Sequence, residues 1–149
     1  MTIEKLRILF KEIYKLKFDY QIEGVFSNGS SKQIIYALEK HNLPQSYIKF
    51  QKNCGHISAL DIHNGYWLDK GEKVLERLNQ NKNQKLLIIG SDGGGNLFKL
   101  NIQNDSIYKT NPAGNNPIII SNSFEEFLEQ LVLDWQHFLN GDASWKYIV

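Results

Sequence analysis

The chain has 149 residues, of which 42% are hydrophobic, 22% charged and only three proline, the size and balance of one globular domain with a buried core, which excludes a disordered or Pro-rich protein. A net charge of +1 gives no global electrostatic case for direct nucleic-acid or membrane binding. The lone cysteine, Cys54, excludes an intramolecular disulfide and fits a reducing compartment.

The N-terminus, MTIEKLRILFKEIYKLKF, is charged throughout and lacks the unbroken apolar stretch and cleavage site of a signal peptide. No window approaches the length of a membrane span, so a cytoplasmic protein is predicted. Residues 1–120 carry 16 Lys and Arg against 11 Asp and Glu, whereas residues 121–149 carry one Lys against five acids. The C-terminal segment is therefore a candidate acidic patch on a mildly basic body.

Ile3, Leu6, Phe10, Ile13 and Leu16 recur at helical spacing and predict an amphipathic helix over about residues 2–17, with Thr2 able to cap it. The polar, Gly-containing tract FDYQIEGVFSNGSS then turns the chain. Ser30 or Ser31 caps a short helix that buries Ile34, Ile35 and Leu38 and ends near Asn42. Pro44 suits the first turn of another, where its missing N–H would be unpaired anyway; Tyr47, Ile48 and Phe50 give it a buried side, and Gly55 stops it.

HISALDIHNGYWLDKG predicts two strands about a tight Asn64-Gly65 turn. GEKVLERLNQNKNQ predicts a short helix with Val74, Leu75 and Leu78 inside, and then a polar loop. LLIIG is a continuous apolar run, as for a strand covered on both faces. NLFKLNI alternates, with Leu97, Lys99 and Asn101 on one face and Phe98, Leu100 and Ile102 on the other. SIYKT, after an Asn104-Asp105 turn, and PIIIS predict two more strands.

The last helix is the clearest element. Ser123 and Glu126 form a capping box, and Phe124, Phe127, Leu128, Leu131, Trp135, Phe138 and Leu139 make one apolar stripe that Gly141 closes. Glu125, Glu126, Glu129 and Asp134 lie mostly off that stripe. There are no repeats and no internal linker. Helices first, strands over about 56–120 and a closing helix predict a single α+β domain over 1–149. Its sheet is largely antiparallel, with about five to six strands flanked by helices.

The stretch KLLIIGSDGGGNLFKL poses the sharpest functional question. A P-loop needs Gly-Lys-Ser/Thr opening a helix, and a dinucleotide fingerprint needs a helix after its glycines to hold the pyrophosphate. Here a period-two strand follows, with no lysine or hydroxyl in the required place. Gly93, Gly94 and Gly95 are therefore read as a strand-to-strand turn with positive φ or close backbone approach, and Asp92 as an acceptor for its N–H groups. The loop's polar surface, with Asp92, is also a candidate contact for a partner.

IIGSDGGGNLFKLNI, then SIYKT, then SFEEFLEQL together resemble the SUKH superfamily: an apolar strand, a Gly-Asp-Gly-Gly-type turn, an alternating strand, a short aromatic-bearing strand and a final amphipathic helix. LPQSYIKFQKNCG is similar to that family's Leu-Pro, Tyr, Phe, Asn-Gly helix at Leu43, Pro44, Tyr47 and Phe50, with Cys54 inserted between Asn53 and Gly55. The resemblance covers roughly residues 30–139. It implies an α+β fold and a bacterial immunity protein that binds and blocks a cognate toxin domain. The alternative it implies is an interaction scaffold, since yeast cell-wall-assembly regulators share the family.

Other chemistries fit the residues poorly. Cys54, His56, Asp61 and His63 lack any standard zinc spacing, and on one strand His56 and His63 point to opposite faces. Cys54 as a nucleophile needs a placed histidine base, and no Gly-x-Ser-x-Gly elbow occurs. The pairs Glu125/Glu126 and Glu72/Glu76 read as a helix start and a solvated helix face. A non-enzymatic protein with no cofactor or metal is predicted. Its candidate partner contacts are Asp92, Tyr66, Glu125, Glu126, Glu129 and Asp134, the acids suiting a basic toxin such as a nuclease. Trp67 is assigned to the core, while Tyr66 is open between core and partner anchor.

Overall fold

A computed structural model describes residues 2–18, 26 and 28–149. The turn expected within 18–31 lies mostly outside the described residues. Along the chain run α1 (Thr2–Ile13), α2 (Lys32–Glu39), α3 (Gln45–Asn53), β1 (Ile57–Ala59), β2 (Tyr66–Leu68), α4 (Gly71–Gln80), β3 (Leu86–Asp92), β4 (Leu97–Asn101), β5 (Ile107–Thr110), β6 (Ile118–Ser121) and α5 (Phe124–Leu139). The six strands form one sheet in chain order, each antiparallel to the next. The result is the α+β architecture expected, with an N-terminal and a C-terminal helix.

Local chemistry sets several helix ends. The Ser31 hydroxyl accepts from the Ile34 N–H at 3.3 Å, and that of Ser123 from the Glu126 N–H at 3.0 Å. Glu126 reaches back to the N–H of Asn122 at 3.2 Å, one residue before the N-cap, so the capping box is displaced by one position. Pro44 is the N-cap of α3 rather than part of its first turn. α1 is shorter than expected: Lys15 adopts φ 54° and the Leu16 N–H bonds to the Lys11 carbonyl at 2.9 Å, closing the helix early.

The core lies between helices and one sheet face. Phe127 of α5 meets Phe98 of β4 with ring centroids 5.7 Å apart. Phe124 meets Tyr47 and Phe50 of α3 at 5.1 and 5.2 Å, and Phe10 of α1 meets Trp135 of α5 at 5.7 Å. Leu87, Ile89, Phe98, Leu100 and Ile107 supply the sheet's share of this cluster.

Two expectations are corrected. β3 is not covered on both faces: Leu87 and Ile89 are buried, while Leu86 and Ile88 are half-buried on the opposite side. β1 and β2 are not joined by a two-residue turn. Residues 60–65 connect them, because Ile62 drops into the core and the chain needs extra length to return. The Gly65 N–H bonds to the Ile62 carbonyl at 2.9 Å within that loop.

Three turns meet at one end of the sheet. The Gly93 N–H donates to the Gly65 carbonyl at 2.8 Å, joining the β3–β4 turn to the β1–β2 loop. A Cβ on Gly95 would lie 3.5 Å from Pro112, in the β5–β6 loop.

Candidate functional site

The glycine turn is consumed by its own structure. Asp92 Oδ1 accepts from the N–H groups of Gly94 and Asn96 at 2.9 and 3.0 Å, and Oδ2 accepts from Asn96 Nδ2 at 3.0 Å. Lys109 Nζ of β5 completes the set at 3.0 Å from Oδ2. Burial alone would raise the Asp92 carboxyl. The hydrogen bonds from Asn96 and Lys109 outweigh it and hold the group below the ordinary carboxylate range.

The Gly95 N–H donates to the Asp92 carbonyl at 3.0 Å. The amides of residues 93–96 thus all have internal acceptors, and none is turned outward to cradle an anion. Gly95 needs its φ of +84°, and Gly93 needs its missing side chain, since a Cβ would fall 1.9 Å from the Asn64 carbonyl oxygen. Gly94 needs neither. With 7% of its surface exposed, Asp92 is a turn organiser.

Two other candidate contacts are buried. Tyr66 is 1% exposed, and its hydroxyl accepts from the Trp135 indole N–H inside the core. Burial pushes that phenol well above its ordinary value. Asp134, also 1% exposed, accepts from Trp145 Nε1 at 2.9 Å and from the N–H groups of Ile148 and Val149 at 3.2 and 3.1 Å. It ties residues 145–149 onto α5; those residues cover a helix side that periodicity alone leaves open.

The acidic patch shrinks accordingly. Glu126 is half-buried in its capping role. Glu125, bonded to the Thr2 hydroxyl at 2.9 Å, and Glu129 stay exposed one turn apart.

Cys54 is buried, its thiol donates to the His56 carbonyl at 3.4 Å, and burial pushes it up to about 12. It is an inert core thiol. His63 is exposed and stacks on Tyr147 at 4.1 Å. Among the described residues, no three His, Cys, Asp or Glu side chains come together in a way that could hold a metal ion.

Trp67, assigned to the core from the sequence, lies outside it. Trp135 is bonded to Tyr66, and Trp145 is bonded to Asp134 and stacked on His137 at 3.7 Å. Trp67 is half-buried and stands outside the core cluster, and among the described residues its indole has neither a hydrogen bond nor a ring contact. It sits in a cross-strand row Ser58, Trp67, Ser91, Leu97. The next row is Ile88, Lys99, Tyr108, Ile119. Both rows occupy the face opposite the core. The alternation Tyr66, Trp67, Leu68 carried this signal: with two large side chains inward, the indole between them points out.

At one end of this face Trp67 walls a cleft of about 500 Å³, together with His56, Ser58, Asp69 and the α4 side chains Glu72, Lys73 and Glu76. At the other end β6 exposes Ile118 by 67% and Ile119 by 50%. β6 is four residues long, follows Pro117 and has a register shift against β5. Short length, proline and bulge all discourage pairing with a further strand. The surface therefore presents side chains rather than a free backbone edge.

The arrangement suits recognition by apolar contact: a half-buried tryptophan, flanking isoleucine, leucine and tyrosine, and a charged rim. The chain matches the SMI1-KNR4 cell-wall family over residues 35–128. It belongs to the SUKH superfamily. The matched segment of this SUKH protein runs from α2 into α5 and holds the whole sheet, the glycine turn and Trp67; α1 and residues 129–149 lie outside it. No curated protein matches the chain. Among the described residues no helix is long and apolar enough to cross a membrane.

Proposed function

We propose that this SUKH protein is a non-enzymatic immunity protein that binds a cognate toxin domain and blocks it by covering its working surface. One observation carries the reading: Trp67, Ile88, Leu97, Tyr108 and Ile119 share a sheet face that the core does not use. Five inter-strand steps of about 4.8 Å make that face about 24 Å wide. A typical partner footprint of about 800 Å², drawn as a disc, is about 32 Å across. The face with its charged rim is therefore the right size for a protein partner. The acidic helix surface is the weaker site, reduced to Glu125 and Glu129.

The test is co-purification with the product of the neighbouring gene, followed by an activity assay of that product with and without this protein. Binding with inhibition is expected. Trp67→Ala should weaken it, and reversing Glu125 and Glu129 to lysine should not. Binding without inhibition would favour the second reading, a regulatory interaction scaffold. Failure to bind would remove the toxin reading for that product.

A further inference from the structure

The cleft beside Trp67 has a charge order that specifies what can fill it. Lys70 caps α4, and Glu72, Lys73 and Glu76 follow on its exposed side, all four lining the cleft. Among the described residues none of the four has an ion-pair partner, whereas the next cation along, Arg77, pairs with Asp69 at 2.7 Å. Glu72 and Glu76 are four apart and so neighbours on the helix surface; Lys70 and Lys73 are three apart. The exposed side of α4 therefore carries two carboxylates one turn apart, with Lys73 and the N-cap Lys70 beside them and an unbonded indole at their edge.

We infer that this cleft takes a polypeptide segment of a protein partner whose charges run in the opposite sense. A basic side chain meets Glu72 and Glu76, an acidic side chain meets Lys70 and Lys73, and an aromatic or aliphatic side chain between them packs on Trp67. This deepens the binding reading above by naming the chemistry of the docked segment. Opposite charges meeting across the rim set register and exclude wrong partners, while the desolvated indole supplies the affinity. A uniformly charged ligand such as nucleic acid fits poorly, because half of the rim would repel it.

The experiment pans a phage-displayed library of random 12-residue peptides on the wild-type protein, with counter-selection on a Trp67→Ala variant. Recovered peptides are expected to carry an apolar residue flanked by a basic and an acidic one. A synthetic representative should lose at least tenfold in affinity on Trp67→Ala and on the double variant Glu72→Lys, Glu76→Lys. Reversing the charges of the peptide should restore affinity for a fourfold variant that also carries Lys70→Glu and Lys73→Glu. These charged side chains are exposed, but Glu72 stands in the first turn of α4, so the melting temperature of each variant is measured beside its affinity and binding is compared only between variants that remain folded at the assay temperature.

Recovery of no peptide, or peptides that bind all variants equally, would overturn the inference. So would sedimentation of the wild type as a dimer that the charge reversals dissociate, since that would give the cleft to a second copy. With the neighbouring gene product as ligand, binding unchanged by the reversals sinks this inference and leaves the immunity reading standing. Peptide capture in the cleft without any binding of that product does the opposite.

Discussion

Tyr66 and Trp67 are adjacent in the chain and lie on opposite faces of the sheet. The Tyr66 hydroxyl accepts from Trp135 in the core, and the Trp67 ring walls the cleft beside α4. A strand of three residues thus turns one aromatic into the core and the next onto the opposite, cleft-lining face. Substitutions at the two positions should separate in their effects. Tyr66→Phe strands the buried Trp135 N–H and should cost about 1–3 kcal/mol of unfolding free energy with partner affinity retained. Trp67→Ala should leave the fold nearly as stable while weakening partner binding by about 2 kcal/mol, roughly 30-fold. Chemical denaturation and calorimetric titration on both variants check the pair.

Gly93 and Gly94 provide a sharper contrast within one turn. A methyl group on Gly93 collides with the Asn64 carbonyl oxygen, whereas one on Gly94 finds its nearest neighbour at an ordinary 3.4 Å. Gly93→Ala should destabilise by about 1–3 kcal/mol or more, because two backbones must separate. Gly94→Ala should fall within about 0.5 kcal/mol of wild type. Equal midpoints in urea for the two variants would contradict the close approach of the β1–β2 and β3–β4 loops.

Asp92 makes stability depend on acid. Its carboxyl is held below the ordinary range in the folded state, so its contribution is full above the unfolded value of about 3.9 and is lost as pH falls through the lower folded value. Asp92→Asn should lower stability at pH 7, where charged hydrogen bonds are each worth about 1.5–3 kcal/mol. The gap to wild type should then narrow as pH falls below about 4. A gap that stayed constant across that range would assign the turn's stability to shape alone.

Asp134 should govern the C-terminal segment. It accepts from three donors in residues 145–149, and Asp134→Ala leaves them without it. The cost is about 1–3 kcal/mol for each donor that stays buried and unpaired. Limited proteolysis should cut residues 142–149 faster in the variant than in wild type, before the sheet is attacked.

Cys54 should resist alkylation in the native state. A thiol pushed up to about 12 is only about one part in ten thousand thiolate at pH 8, and it is also buried. Iodoacetamide labelling should track global unfolding, rising steeply across the urea transition.

The features readable along the chain were those whose causes lie within a few residues. Ser123 and Glu126 announce a helix start, Asp92 reaches amides two and four residues ahead, and NLFKLNI alternates because neighbouring side chains on a strand must point to opposite faces. Even Glu126 bonding to Asn122 instead of the N-cap residue departs from the pattern by a single position.

Side-chain environments were set at longer range. Nothing near Asp134 in the sequence says that residues 145–149 will return to cover it, nor near Gly93 that the Asn64 carbonyl will sit against it. The inward Tyr66 finds its hydrogen-bond donor in Trp135, 69 residues away, while strand alternation leaves Trp67 pointing outward. Local patterns state which groups share a face. Which face is buried depends on contacts between segments far apart in the chain, and those exist only once the helices have packed on the sheet.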